Sequence, residues 1–455
     1  MTGAETPEDG GQGADIQAEH RRKLQFLIRS AAALVSTSIV TSGLGFVYWA
    51  VAARAFPASD VGESATTIAA MSLIAPFTVL GLGTVLVAKL PTMRGGRTQL
   101  VSTASTVTAV VGTVVALVCA FTLPSDFLGL PGIGKDVGMT ALFAAAVATQ
   151  SLGYMLDMAL LSLIGGRMQL VRNTVQAVVK LVLLIVVALL LARYGSVSIF
   201  TSWFVANVVS IAVVVIALMR QYRVPVRRTM PRLSALRGIH FTAAQHHMLN
   251  IALFTPFFAM PIVANVILGS EQAAYLYSTW SVAGFLFYVP IALATALFAS
   301  GARDSGTFLL EFRFTLRYAL LICAAANLAI LVLGHWVLRI FGEAYAANGR
   351  SALTLMCLGG FGLIIKDHHV ALARVTGTVG REAALIGVLG LGELAGAAIG
   401  ASRGGLTGLG LGWLAAVGVE ALVCGPLVWR AYRGRVHIPV RDADEAGDGA
   451  APAAH

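Results

Sequence analysis

The chain has 455 residues, of which 57% are hydrophobic and 12% charged, and a formal net charge of +10; its mean hydropathy is +0.80. A soluble domain carries about a quarter of its residues as charge, so this composition excludes a soluble fold. In a membrane chain the basic excess follows from positively charged cytoplasmic loops, and no nucleic-acid partner is expected.

In chain order, Met1 to Glu19 is rich in Gly and acidic residues, and residues 1–30 are expected to form a disordered cytoplasmic N-terminus. No short apolar core follows directly on a basic stretch there, so no signal peptide is expected. About twelve apolar segments follow, each near the roughly 20 residues that cross a bilayer. Their approximate bounds are 31–53, 63–88, 101–123, 139–163, 173–192, 197–219, 241–268, 272–299, 315–338, 350–373, 383–402 and 405–429. The fold predicted is all-α and integral to the membrane, with no room for a large soluble domain.

The basic residues alternate between loops. Arg21, Arg22, Lys23 and Arg29 precede the first span, and Arg94 and Arg97, Arg167 and Arg172, Arg303, Arg313 and Arg317, and Arg374 and Arg381 fall on the same side. Arg430, Arg433, Arg435 and Arg441 close that set. The opposite side holds Arg54, Lys135, Arg193, Arg339, Arg350 and Arg403. This asymmetry predicts both termini in the cytoplasm. The longest basic loop, with Arg220, Arg223, Arg227, Arg228, Arg232 and Arg237, divides the chain. The domains predicted are a six-helix lobe over 31–219, a basic cytoplasmic linker over 220–240, a second six-helix lobe over 241–429 and a cytoplasmic tail over 430–455. The linker reads as a charged segment resting on anionic headgroups.

The halves echo each other. Arg193-Tyr194-Gly195 precedes Trp203, Arg403-Gly404-Gly405 precedes Trp413 at the same spacing, and Arg172 and Arg381 hold corresponding upstream positions. With six spans per half, both halves enter the membrane in the same sense, a parallel pseudo-two-fold repeat of the kind used by transporters that rock two bundles about a central site.

Charges inside the spans are the candidate functional groups. Asp157 and Lys180 lie at similar distances from the loop holding Arg167 and Arg172, and so at similar depth. Two readings stay open: a buried Asp157–Lys180 ion pair, or a Lys180 that faces a wet cavity and binds a phosphate of the substrate. Glu393 and Glu420 fall near mid-membrane and are candidates for ion coupling, against a structural reading as hydrogen-bonded groups. His246 and His247 open the seventh span, and Lys366, Asp367, His368 and His369 are placed near the cytoplasmic end of the tenth, as a polar patch at the inner mouth. Adjacent histidines without a partner at fixed spacing do not make a metal site, so no metal is expected. Arg54 and Lys89, at span ends, complete the substrate-binding candidates.

Pro76, Pro256, Pro261 and Pro290 interrupt spans and favour kinks, and Pro256 with Pro261 is a candidate hinge. The Gly-rich run from Gly387 to Gly412 permits close helix packing; its GxGxxG-like spacings follow no strand and are not nucleotide motifs. Cys119, Cys323, Cys357 and Cys424 sit in apolar segments without CxxC spacing and read as core residues.

Ordered short motifs add to this pattern. They are Gly43-Leu44-Gly45-Phe46; Ala52-Ala53-Arg54-Ala55-Phe56-Pro57-Ala58-Ser59-Asp60-Val61-Gly62; Leu80-Gly81-Leu82-Gly83 and Lys89-Leu90-Pro91; Leu268-Gly269-Ser270, Ala273-Ala274-Tyr275 and Ala299-Ser300-Gly301-Ala302; and Gly405-Leu406-Thr407-Gly408 with Trp413-Leu414. The set resembles bacterial polysaccharide-biosynthesis flippases of the multidrug/oligosaccharidyl-lipid/polysaccharide exporter superfamily, over nearly the whole hydrophobic region. The resemblance implies a V-shaped pair of lobes around a cationic cavity in the bacterial cytoplasmic membrane, and alternating access that flips a polyprenyl-pyrophosphate-linked saccharide. It implies glycosyltransferases or a polymerase of the same pathway as partners, alongside membrane lipids, and no cofactor. Where lipid II flippases carry Arg-Asp after the Gly-Phe of the first span, this chain has Tyr48 and Trp49, which favours another glycan. The alternatives are a multidrug or cation antiporter of the same superfamily and a non-catalytic scaffold for envelope assembly. A membrane enzyme of the polymerase or ligase type is disfavoured by the short outer loops.

Overall fold

The computed structural model describes residues 41–90, 93, 95–163, 166–221, 230–236, 242–301 and 307–438. The N-terminal segment 1–30, most of the basic linker and the tail beyond Ile438 lie outside them. Among the described residues there are helices and turns and no strand. Helix α1 covers 41–55. It is followed by α2 (Ala58–Thr78), α3 (Leu82–Lys89), α4 (Arg97–Thr122), the short α5 (Ser125–Leu128), α6 (Val137–Leu163), α7 (Gly166–Leu190) and α8 (Gly195–Gln221). The second half holds α9 (Thr242–Leu268), α10 (Ser270–Gly301), α11 (Phe308–Arg339), α12 (Glu343–Thr376) and α13 (Val379–Tyr432).

Nine of these helices are long and apolar enough to cross a membrane. One of them, α13, is two passes joined at Gly404 and Gly405, where Gly405 takes a φ of 58°. With α1 and the α2–α3 pair added, each of the twelve expected segments has a helical counterpart. The chain is a multi-pass membrane protein. Its large outward side chains are apolar, Val114, Phe121, Leu189, Leu321 and Leu331 among them, because lipid is the solvent they meet.

Two proline expectations resolve differently. The second segment, expected as one kinked span, is broken. Pro76 lies in the last turn of α2, and Leu80 (φ 52°) and Gly81 (φ 72°) then turn left-handed before α3 begins. A left-handed pair of this kind ends a helix. Pro256 and Pro261, by contrast, sit within a continuous α9. Gly390 makes room for one ring: a Cβ there would stand 2.8 Å from Pro256 Cγ.

The halves meet along a seam at the end of the bundle that carries the α1–α2, α9–α10 and α11–α12 connections. A Cβ on Gly62 would fall 1.7 Å from the Ser270 carbonyl oxygen, so α2 and α10 touch backbone to backbone. Arg54 donates to the carbonyls of Arg339 (2.5 Å) and Ile340 (3.0 Å) at the end of α11. Asn265 donates to Asp126 O at 2.7 Å, and Phe46 meets Phe341 edge-on at 4.9 Å. One buried apolar cluster, with Tyr48, Phe143, Phe200, Met260, Trp280 and Trp413, runs through both halves.

Candidate substrate cavity

Behind the seam lies a cavity of about 330 Å³ lined from α1, α2, α6, α7 and α8 of the first half and from α9 and α10 of the second. Its two walls differ in chemistry. The first half supplies the polar groups Ser72, Gln150, Tyr154, Asn173, Gln176 and Lys180 together with Phe46, Trp49 and Trp203, and the second supplies mainly aromatic ones, Phe257, Phe258, Tyr277, Trp280, Phe285 and Tyr288. Helical spacing produces the polar wall. Asn173, Gln176 and Lys180 recur at i, i+3 and i+7 on α7, and Gln150 and Tyr154 at i and i+4 on α6, so each set shares one face. Off this face α7 carries the buried Arg172 and, towards its C-terminal end, exposed apolar residues such as Val182 and Leu189.

Lys180 is the cation of this cavity. Its residue is 5% exposed, and Nζ stands 3.7 Å from the centre of the Trp203 ring and 5.3 Å from that of Tyr48. The Tyr48 hydroxyl is engaged elsewhere, at 2.9 Å from both Ile199 O and Ser202 Oγ. Among the described residues no carboxylate pairs with Lys180. A desolvated cation over an aromatic face gains about 2 kcal/mol, whereas taking an ammonium out of water costs several kcal/mol. The ring faces alone do not offset that cost.

The Asp157–Lys180 pair is corrected. Asp157 binds Arg172 instead, fork to carboxylate, with Nε–Oδ1 at 2.6 Å and Nη2–Oδ2 at 2.7 Å, both residues buried. The sequence reading put Arg172 in a loop, but α7 starts at Gly166 and carries it inward. A bidentate guanidinium is the stronger partner. Asp157 is not among the residues that line the cavity. It acts on the wall through a chain: Arg172 Nη1 reaches Asn207 Oδ1 at 3.4 Å, and Asn207 Nδ2 donates to Gln150 Oε1 at 3.0 Å.

A second chamber of about 220 Å³ lies within the second half, behind the shared residues Phe257, Phe258, Trp280, Gly284 and Tyr288. Lys366, Asp367, Glu393 and Trp413 line it. Lys366 Nζ sits between Glu393 Oε1 (2.6 Å) and Glu420 Oε2 (2.9 Å), and Trp413 Nε1 donates to Glu393 Oε2 at 2.6 Å. All three charged members of this clasp are buried, and Glu420 Oε1 has no hydrogen-bond partner among the described residues.

The expected inner-mouth patch is therefore corrected. Lys366 turns into the clasp, ten residues short of the end of α12 at Thr376. His369 Nε2 pairs with Glu382 Oε2 at 2.7 Å, and His368 contacts Ile364 O and Thr315 Oγ1. Consecutive residues on a helix point about 100° apart, which disperses them. His247 lies by the Pro76 backbone, and the side chain of His246 is outside the described set. Arg54 belongs to the seam and lines a separate apolar groove with Phe46, Val47, Ala50 and Ile340, while Lys89 closes α3. Sequence reasoning missed Gln150, Gln176 and Asn207, whose polarity alone did not distinguish them. It noted Trp203 and Trp413 only for their spacing; each proves to abut a buried charge.

No protein-family model matches the chain, and no curated protein matches it by sequence. Solved structures do. One, described as the inward-facing conformation of a multidrug resistance MATE family transporter of the MOP superfamily, aligns with a TM-score of 0.69 and 13% identity over 89% of this chain and 99% of that one. An outward-facing conformation carrying the same description gives 0.65 and 14% over 90% and 96%. A MOP superfamily transporter from Pyrococcus furiosus, described by a binding pocket of reversed polarity that suggests a different function, gives 0.64 and 13% over 90% and 96%. At such identities the likeness is one of fold, and it spans nearly the whole of each chain.

Proposed function

We propose that the chain is a transporter that carries an amphipathic anion, a polyprenyl-(pyro)phosphate-linked saccharide, from the inner to the outer leaflet of a bacterial cytoplasmic membrane. The residues 31–219 and 241–429 act as two lobes that alternate access to the central cavity, with both termini in the cytoplasm. One observation carries this reading: Lys180 lies buried in the cavity with no carboxylate partner among the described residues. A phosphate on its ammonium compensates the buried charge, and the aromatic wall of Trp280, Tyr277 and Phe285 offers flat faces to sugar rings. The polyprenyl tail stays in lipid, so only the polar headgroup needs a path. The fold is shared with transporters solved in inward- and outward-facing conformations, which suits alternation.

A cation or multidrug antiporter is the second reading, favoured by Asp367 and Glu393 in the second chamber. The central cavity weighs against it, because no Asp or Glu is among the residues that line it. The two separate in proteoliposomes loaded with a fluorescent polyprenyl-pyrophosphate saccharide. Lys180→Ala is expected to reduce flipping at least tenfold with unchanged protein yield, and Lys180→Arg to retain part of it. Normal flipping by Lys180→Ala, or drug efflux without flipping by the parent chain, overturns the first reading.

A further inference from the structure

At the far end of the bundle from the seam, α11 and the end of α13 bring three guanidinium groups around one tyrosine. Arg317 directs both Nε (2.8 Å) and Nη2 (2.5 Å) to the hydroxyl of Tyr432. Arg313 Nε donates to the Tyr432 carbonyl oxygen at 2.6 Å. Arg433 lies 4.6 Å over the ring of Trp429, which in turn stacks on Tyr432 with centroids 5.6 Å apart and planes 8° from parallel. The Arg317 guanidinium stands 5.3 Å from the Tyr432 ring. The result is a ladder of Arg433, Trp429, Tyr432 and Arg317, with Arg313 beneath it.

The ladder has no counter-charge among the described residues. Among the described residues, none of these three arginines pairs with a carboxylate. Their partners are neutral: a carbonyl, a phenol and two rings. Arg313 on the carbonyl of Tyr432 satisfies an orphan acceptor at the helix end. Arg317 and Arg433 do no such work, and each guanidinium lacks a carboxylate partner among the described residues. Both are exposed, as are Arg430 and Arg435 beside them.

The neighbouring surface identifies the anion's carrier. Leu321 follows Arg317 by one turn on the same face of α11, and Leu422 precedes Trp429 by two turns on the same face of α13. Leu422 is 77% and Trp429 54% exposed. A cationic rim set on an exposed apolar helix surface, with Trp and Tyr between, is the profile of a membrane–water boundary. Arg forks suit the oxygens of a phosphate diester better than Lys does.

We propose that this surface binds anionic phospholipid, with headgroup phosphates on Arg317 and on Arg433 and acyl chains along Leu321 and Leu422. The site is distinct from the central cavity and does not depend on what that cavity carries. The test uses the full chain in detergent, titrated with phosphatidylglycerol or with phosphatidylcholine of the same acyl chains, and read by native mass spectrometry. Phosphatidylglycerol is expected to remain bound where phosphatidylcholine does not. Arg317→Ala with Arg433→Ala is expected to weaken retention about tenfold, and Arg317→Lys with Arg433→Lys to weaken it less while keeping the patch charge. Equal retention of the two lipids, or retention by the alanine pair equal to that of the parent, overturns the proposal. So does full protection by inorganic phosphate alone, which would make the site one for a free anion. Binding that appears only when residues 439–455 are removed also overturns it, since the acidic residues Asp442, Asp444 and Glu445 would then be the occupant.

Discussion

Two buried cations in this protein are handled in opposite ways. Arg172 is matched within hydrogen-bond distance by Asp157, while Lys180 has only ring faces. Removing one member of a buried pair strands the other and costs about 3–5 kcal/mol. Asp157→Ala is therefore expected to lower thermal stability markedly, and Asp157→Leu with Arg172→Met to recover most of the loss, as measured by unfolding in detergent. A single variant as stable as the parent would mean the pair contributes nothing to the fold. At Lys180 the expectation is reversed. If Lys180 meets a bound anion as proposed, changing it to Ala should raise, or little lower, the ligand-free stability, while transport falls. These residues also show the limit of reading charge along a chain. Depth was legible for Asp157 and Lys180, but partner choice depended on a third residue, Arg172, which the sequence reading placed in a loop ahead of residue 173 and which a helix starting at Gly166 carries inward.

Among elements, α13 shows how glycine sets architecture. The two passes on either side of Gly404 and Gly405 pack through backbone: a Cβ on Gly400 would meet Gly408 O at 2.0 Å, and one on Gly412 would meet Gly396 O at 1.9 Å. Small residues at such crossings are what hold helices together when lipid is as apolar as the side chains. Gly400→Ala is expected to force the passes apart and cost about 1–3 kcal/mol. Gly418→Ala meets nothing within 4 Å and should be neutral or slightly stabilising. Equal melting temperatures for the two variants would refute backbone contact at the crossing. The glycine-rich run was legible in sequence as a packing surface. The break between α2 and α3 was not, since Leu80 gives no hint of a positive φ.

For the whole molecule, the seam and the cavity are parts of one device. The contacts of Gly62 with Ser270, of Arg54 with the end of α11, and of Asn265 with Asp126 all lie at one end of the cavity. All three end on backbone carbonyls, so the seam depends on helix positions more than on particular partner side chains. Arg54→Ala with Asn265→Ala is expected to loosen that end. With the native cysteines replaced, a cysteine at the cavity residue Ser281 should then react several-fold faster with an impermeant thiol reagent added from the side of the α1–α2 connection. An unchanged rate would show that the barrier lies elsewhere.

The two cavity walls illustrate why some of this was legible and some was not. Period-3.6 spacing puts Asn173, Gln176 and Lys180 on one face of α7, yet only Lys180 stood out in the sequence, because an uncharged polar residue within a span carries no sign of which way it faces. Which side of the molecule the stripe faces, and that an aromatic wall from α9 and α10 stands opposite, depends on how remote helices pack. The matched Arg-to-Trp spacings of the two halves suggested equivalence, yet Trp203 stands over a lysine and Trp413 binds a glutamate.

By itself, the sequence determined that this is a helical membrane protein and how many segments it has, because segment length and apolarity are local quantities fixed by bilayer thickness and backbone hydrogen bonding. Only the tertiary structure decided which buried charges neutralise one another and which has no carboxylate partner among the described residues. Pairing depends on angstrom distances between residues far apart in the chain, and electrostatic energy inside a membrane changes steeply over those distances.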